Sequence, residues 1–364
     1  MTKKLLLQGY YGFDNSGDDA ILKAIVDNLK SLGKYEITAL SKSPEKTKSS
    51  YDINAVDRFS LPKVMAAMKE TDLFVFGGGS LLQDVTSSRS LFYYLFLIRL
   101  AKFYGKKVFV FANGIGPIDK GMNRYFTRKI LDRVDYITLR DKGSLSYVKY
   151  MGVTNPNIKV TADPVFLLES SPDSVADEIL GKQGIKLSEN VIGISVRNWK
   201  EAPDLTREIA KFADTLIGED VDILIVPMHY PYDVEYSETI KILSKNPRIH
   251  LLNTKYQVED IIAILKRCKL VIAMRLHALI YSAKANVPIL GLIYDPKVSG
   301  LISELSVNEF LKVENVTAEN LREKYDSLIE NLEDRQTSIA RATERQEAES
   351  RETIVELERL VDTL

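Results

Sequence analysis

The sequence predicts an α/β protein built from two doubly wound, Rossmann-like domains. Short apolar runs alternate with amphipathic helical segments along most of the chain, the pattern of βαβ units in a parallel sheet. Several apolar runs end in glycines, carboxylates, arginine or histidine, at the strand ends where open α/β sheets bind ligands. The alternation breaks once, at 169–189, and 364 residues suffice for two cores.

Composition narrows the classes. With 45% apolar and 27% charged residues the chain reads as globular, not disordered. A net charge of −1 gives no global signal for nucleic acid, so recognition of an anion must be local. The single cysteine, Cys268, rules out an internal disulfide and a thiolate metal cluster. The apolar run before Gly9 is too short for a signal peptide. No apolar stretch reaches the roughly 18–20 residues that span a bilayer, so a cytoplasmic protein is expected.

In the first domain, expected at 1–175, Lys4–Gly9 is a buried strand and Asp18–Leu32 an amphipathic helix. The turn between them carries Gly9, Gly12, Asp14, Asn15, Gly17, Asp18 and Asp19. It is not the dinucleotide fingerprint, because carboxylates stand where a pyrophosphate would sit. Asp14, Asn15, Asp18 and Asp19 suit sugar hydroxyls; the plainer reading is that Ser16 or Asp18 caps the helix. Strand Glu36–Leu40, helix Leu61–Glu70 and strand Leu73–Phe76 follow, the last opening into Gly77, Gly78 and Gly79. Three glycines there suit backbone amides that face a ligand.

Ser90–Tyr104 is a helix dense in aromatics. Burial between sheet and neighbouring helix is the preferred reading; the alternative is peripheral contact at the inner face of the cell membrane. Strand Val108–Ala112 ends at Asn113, Gly114 and Gly116, strand Tyr136–Leu139 at Arg140 and Asp141, and strand Ile158–Thr161 at Asp163. Helices are expected at Asn123–Arg133 and Ser144–Tyr150. Such strand ends are where open α/β sheets bind ligands.

In the second domain, expected at 185–316, strand Val191–Val196 ends at Arg197 and Trp199, and strand Ile223–Pro227 at His229. His250 sits within a strand and is read as structural. Strand Leu270–Met274 delivers Arg275 and His277, a permanent cation beside a group that titrates near neutrality. Strand Val287–Ile293 leads to Lys297 on a loop punctuated by Pro296 and Gly300. Arginine's fork suits carboxylate and phosphate, so Arg197, Arg275 and His277 read as an anion pocket; metal ligation is weakly supported and none is expected. Segment 317–364 is one or two charged helices, expected to cross back over the first domain.

The ordered set Gly9, Gly12, Asn15, Gly17, Asp18; Gly77–Gly79; Gly114, Gly116, Pro117; Arg140, Asp141, Ser144; Asp163, Pro164; Arg197, Trp199; Met274, Arg275, Leu276, His277 resembles the polysaccharide pyruvyl transferase family. It is similar in particular to the bacterial enzymes that pyruvylate N-acetylmannosamine of a secondary cell-wall polysaccharide, a modification tied to S-layer anchoring. The resemblance covers roughly 4–310. It implies a GT-B-like fold with two domains facing across a cleft, phosphoenolpyruvate as donor without a further cofactor, and a lipid-linked saccharide acceptor bearing a 4,6-linked ketal.

By that resemblance His277, as general acid/base, Arg275, Asp14 and Asp18 are catalytic, and His277 and Arg275 hold the donor together with Arg140, Arg197, Lys297 and His229. Asp14 and Asp18 orient sugar hydroxyls. Asn15, Gly17, Gly77, Gly78, Gly79 and Asn113 complete the acceptor side. A nucleotide-sugar glycosyltransferase and a non-catalytic glycan-binding protein are the alternatives. Oligomeric state, a homo-oligomer included, is left open.

Overall fold

The computed structural model describes residues 2–85 and 87–364. The chain divides into two compact units: unit 1 is Met1–Leu168 with Gln346–Leu364, and unit 2 is Glu169–Arg345.

Unit 1 runs β1 (Lys3–Gln8), α1 (Ser16–Ser31), β2 (Tyr35–Ser41), α2 (Pro44–Tyr51), β3 (Asn54–Asp57), α3 (Leu61–Glu70) and β4 (Leu73–Gly77). It continues α4 (Ser88–Phe103), β5 (Lys107–Asn113), α5 (Gly121–Leu131), β6 (Tyr136–Leu139), α6 (Lys142–Tyr150) and β7 (Ile158–Val160). Among the described residues its sheet is parallel, in the order β3-β2-β1-β4-β5-β6-β7. β4 is buried throughout, which is why it reads as a continuous apolar run and not an alternating one.

Unit 2 runs α7 (Asp173–Lys182), β8 (Val191–Ser195), α8 (Leu205–Thr215), β9 (Asp222–Ile225), α9 (Tyr232–Leu243), β10 (Ile249–Leu251) and α10 (Val258–Leu265). Then come β11 (Leu270–Ala273), α11 (Leu276–Lys284), β12 (Ile289–Ile293), α12 (Pro296–Glu304), β13 (Phe310–Lys312), α13 (Ala318–Glu330) and α14 (Leu332–Val361). Its parallel sheet has the order β10-β9-β8-β11-β12-β13. In each unit the winding reverses once, between β1 and β4 and between β8 and β11. These are the points where doubly wound sheets open a crevice at the strands' carboxyl ends.

Several elements differ from expectation. The interruption at 169–189 holds a helix, α7, which packs on α10 within unit 2. Its N-cap is Pro172, and Gly181 and Gly184 stand at its end, so ordinary helix punctuation reads as a linker. Lys297 lies in the first turn of α12, not on a loop: Pro296 opens that helix and Gly300 sits inside it. Only part of the C-terminal segment joins unit 1. α13 packs on α8 in unit 2, and the last turns of α14, from Gln346, group with unit 1.

Those last turns dock through polar groups. Ser350 Oγ donates to the Asp163 carbonyl at 2.8 Å, the Thr353 and Thr161 hydroxyls meet at 2.7 Å, and Lys159 pairs with Glu352 and Glu356 at 2.7 and 2.9 Å.

Candidate active site

In unit 2 the four central strands deliver side chains in the spatial order β9, β8, β11, β12. After β9 the chain turns through His229 into α9, whose buried Asp233 accepts from the backbone amides of Met228 and His229 at 3.3 and 3.0 Å. The same carboxylate pairs with Nη2 of Arg275, a residue just past the end of β11. Arg275 is the N-cap of α11, and no side chain caps that helix. Its amides and Arg275 therefore offer donors side by side, an arrangement that favours an anion. Arg275 Nε is buried and makes no hydrogen bond. An orphaned donor of that kind costs stability unless a ligand satisfies it.

His277 occupies the first turn of α11, half-buried, with its ring 6.2 Å from that of Tyr281 one turn on. Arg197 follows β8, on the other side of the winding reversal. Its amide donates to Met274 Sδ at 3.2 Å, which ties the ends of β8 and β11 together. Its guanidinium lies 5.8 Å from the Trp199 ring; Trp199 meets Tyr294 edge-on at 4.6 Å, and Lys297 Nζ lies 5.8 Å from the Tyr294 ring. Arg197, Trp199, Tyr294 and Lys297 thus form one row along the ends of β8 and β12. Lys297 also sits 3.5 Å from Asp295, the side chain that caps α12. His229 packs against Tyr232, ring centroids 5.0 Å apart.

In unit 1 the glycine-rich turn after β1 wraps a buried tyrosine. Tyr11 lies between Gly9 and Gly77: a Cβ on Gly9 would strike its ring, and one on Gly77 would stand 2.7 Å from its hydroxyl. Burial pushes the Tyr11 phenol up, and the charge of Asp18 adds to the effect. Asn15 is the actual cap of α1, accepting from the Gly17 amide at 3.0 Å; Asp18 and Asp19 occupy its first turn. Asp14 adopts a left-handed backbone (φ 60°) and pairs with Lys46.

The triple glycine has a packing reason as well. A Cβ on Gly78 would run into Ile21, and the Gly78 amide donates to the Phe111 carbonyl at 2.8 Å, so it does not face a ligand as expected. Gly79, at φ +74°, brings its backbone close to Asp18. Asn113 is fully buried at a bulge of β5 and donates to the Gly78 carbonyl at 3.2 Å.

Arg140, expected to help bind the donor, is engaged by groups of unit 1 itself. It is 6% exposed, and its nitrogens engage Asp163 at 3.3 Å, Asp141 at 3.4 Å and the Ser80 hydroxyl at 2.8 Å. The side chain is a clamp across the loops that follow β4, β6 and β7. His250 pairs at 2.9 Å with Asp222, at the opposite, amino end of β9, which is a structural role.

A family model described as polysaccharide pyruvyl transferase matches residues 15–296. The chain belongs to the polysaccharide pyruvyl transferase family. The amylovoran biosynthesis protein AmsJ of Erwinia amylovora is 21% identical to it over 402 aligned residues, 94% of this chain and 96% of AmsJ. Among solved structures, Anabaena HepE in complex with UDP-glucose superposes with a TM-score of 0.67 at 15% identity, covering 99% of this chain and 100% of HepE. The S. aureus MnaA complex with UDP gives 0.71 at 15% identity, covering 100% and 98%. These two likenesses bear on fold, which is α/β and two-domain, of the GT-B type.

Within this pyruvyl transferase family member, three further features stand beside the residues the sequence singled out. Asp233 orients Arg275, but an acid in a helix's first turn looks like ordinary dipole compensation. Arg58, 5% exposed, donates to the Gly9 carbonyl at 2.8 Å and lies within 5.7 Å of the rings of Phe13, Phe59, Tyr93 and Tyr94. Tyr10 stacks on Phe13 at 3.9 Å, which sets an aromatic pair on the glycine-rich turn. Three aromatic residues around Gly12, namely Tyr10, Tyr11 and Phe13, carried the signal for that pair. Arg58 had none.

Proposed function

We propose that this chain transfers the pyruvyl group of phosphoenolpyruvate to a polysaccharide or its lipid-linked precursor, forming a cyclic ketal across two sugar hydroxyls. The observation that carries the reading is the cationic set at the β8/β11 reversal: Arg197, Arg275 with its orphaned Nε, and the uncapped α11 bearing His277. Phosphoenolpyruvate carries a phosphate and a carboxylate, and two arginines with a helix N-terminus match that pair of anions.

In the proposed reaction His277 delivers a proton to the methylene carbon of the enol, and the adjacent carbon becomes oxocarbenium-like. One sugar hydroxyl adds there. The carbon–oxygen bond to phosphate breaks, and Arg275 and Arg197 neutralise the departing phosphate. A second hydroxyl closes the ketal. Of the two hydroxyl protons released, one balances that in the new methyl group and the other leaves on phosphate. Unit 1 is the proposed acceptor side, with Asp14 and Asp18 ordering hydroxyls and the Tyr10–Phe13 stack offering a face to a sugar ring.

N-acetylmannosamine with free 4- and 6-hydroxyls is the first acceptor to try. An enzyme that uses phosphoenolpyruvate would work in the cytoplasm, where that metabolite is made. The test is phosphate release from phosphoenolpyruvate that depends on a lipid-diphosphate saccharide. Wild type should release phosphate, and His277→Ala should lose roughly a hundredfold or more in rate. Turnover of a UDP-sugar in place of phosphoenolpyruvate would refute the reading.

A further inference from the structure

Helix α4 has two faces. Leu91, Leu95 and Ile98 are buried against unit 1, yet Arg89, Phe92, Phe96, Arg99 and Phe103 form an outward stripe at helical spacing. Phe103 is 81% exposed, and Phe92 and Phe96 are 40% and 44% exposed. Helix α5 packs beside it and repeats the pattern with Met122, Tyr125, Phe126 and Lys129, Met122 being 70% exposed. Phe92 meets Phe126 edge-on at 5.9 Å, which joins the two stripes into one surface. Single exposed apolar residues are ordinary, whereas a contiguous aromatic patch marks an interaction surface.

The charge within the two helices is one-sided, although Asp132 caps the end of α5. α4 and α5 carry three Lys or Arg each and neither carries an Asp or Glu, in a chain of net charge −1. Lys102 is paired with Asp135 at 2.7 Å, but Arg89 and Arg99 stand exposed on the stripe, and Lys129 lies 5.8 Å from the Tyr125 ring. Aromatic side chains flanked by basic ones, with no acid on either helix, suit the interface of an anionic bilayer, where rings enter the headgroup region and cations meet lipid phosphates.

We infer that the α4–α5 face docks unit 1 on an anionic phospholipid surface. This goes beyond the proposed chemistry and does not depend on it: neither phosphoenolpyruvate nor acceptor is needed for binding. The proposed attachment is peripheral, through side chains of this face; among the described residues no helix is long and apolar enough to cross a membrane.

The experiment is co-sedimentation of the full chain with vesicles of phosphatidylcholine alone and of phosphatidylcholine mixed with phosphatidylglycerol. Two exposed-residue variants accompany it, Phe96→Ser with Phe103→Ser, and Arg99→Glu with Lys129→Glu. Wild type should bind the anionic vesicles only and less well in salt, and each variant should lose roughly tenfold or more in partitioning. Equal binding to both vesicle types, binding unchanged in both variants, or a dimer that the first variant dissolves would overturn the inference.

Discussion

The carboxylate of Asp233, at the start of α9, holds the guanidinium of Arg275, at the start of α11, although 42 residues separate them in the chain. The pair spans β8, because β9 and β11 flank that strand in the sheet. Asp233 also accepts from two backbone amides, so its position is fixed before any ligand arrives. A preset arginine loses less freedom on binding an anion than a loose one. Asp233→Asn keeps an acceptor for those amides but removes the charge that orients Arg275. The variant should fold and should raise the KM for phosphoenolpyruvate roughly tenfold or more, with a smaller change in kcat. Steady-state phosphate release decides it, and an unchanged KM would count against the orienting role.

Arg140 should prove to be a structural residue first. Both it and Asp163 are buried, so Arg140→Met removes the guanidinium that pairs with a buried carboxylate. Breaking one side of such a pair costs about 3–5 kcal/mol. Thermal or denaturant unfolding should show a loss of that order. Arg140→Met with Asp163→Leu should recover part of it, because the buried carboxylate is then gone too.

Much of this molecule can be read from its sequence, for physical reasons that also mark where reading stops. Strands buried on both faces leave uninterrupted apolar runs, so β1, β4 and β11 are plain, and the residues just after them fall at the sheet's carboxyl edge. That places Arg197, Arg275 and His277 at the ends of β8 and β11, where the winding reverses. The edge elements are hidden: α2 buries only Thr47, and β3 has four residues, so neither has a hydrophobic period to detect. The return of the C-terminal segment to unit 1 is legible, but its polar half is not: the last turns of α14 bury Gln346, Ser350, Thr353 and Glu356 beside a narrow apolar stripe.

Partnership across the sheet is the other thing periodicity does not carry. Nothing local links Asp233 to Arg275, Arg140 to Ser80, or Gly78 to Ile21. The aromatic helix shows the limit in another form. The density of rings within 90–104 suggests burial, but Phe92, Phe96 and Phe103 lie at spacings that turn them outward.

The glycines after β4 give a test of packing against conformation. A Cβ on Gly78 meets Ile21, and the residue sits at φ +47°. Gly78→Ala should therefore cost about 2 kcal/mol or more. At Gly181, in α7, an added methyl group would have nothing within 4 Å, and Gly181→Ala should stabilise by about 0.5–1 kcal/mol. Denaturant midpoints of the two variants should move in opposite directions.

Acid should loosen unit 2 through Asp222. Burial pushes its carboxyl up, but hydrogen bonds from Ser188, His250 and Arg248 outweigh that and bring it down from 3.8 to about 2. Because the folded value lies below the unfolded one, the contribution is fully present above 3.8 and is lost as pH falls toward 2. It amounts to about 2 kcal/mol. Asp222→Asn should unfold more easily at neutral pH and show a flatter stability profile across that acid window.

The proposed reaction turns on protonation of the enol carbon followed by ketal formation on a sugar. Running the reaction in deuterated water with phosphoenolpyruvate and a lipid-diphosphate saccharide, then weighing the product, tests it most directly. The expected product is a saccharide carrying a pyruvyl ketal whose methyl group holds solvent deuterium, and it should be lost in His277→Ala. A saccharide unchanged in mass while phosphoenolpyruvate persists, or a pyruvyl product without deuterium, would contradict it.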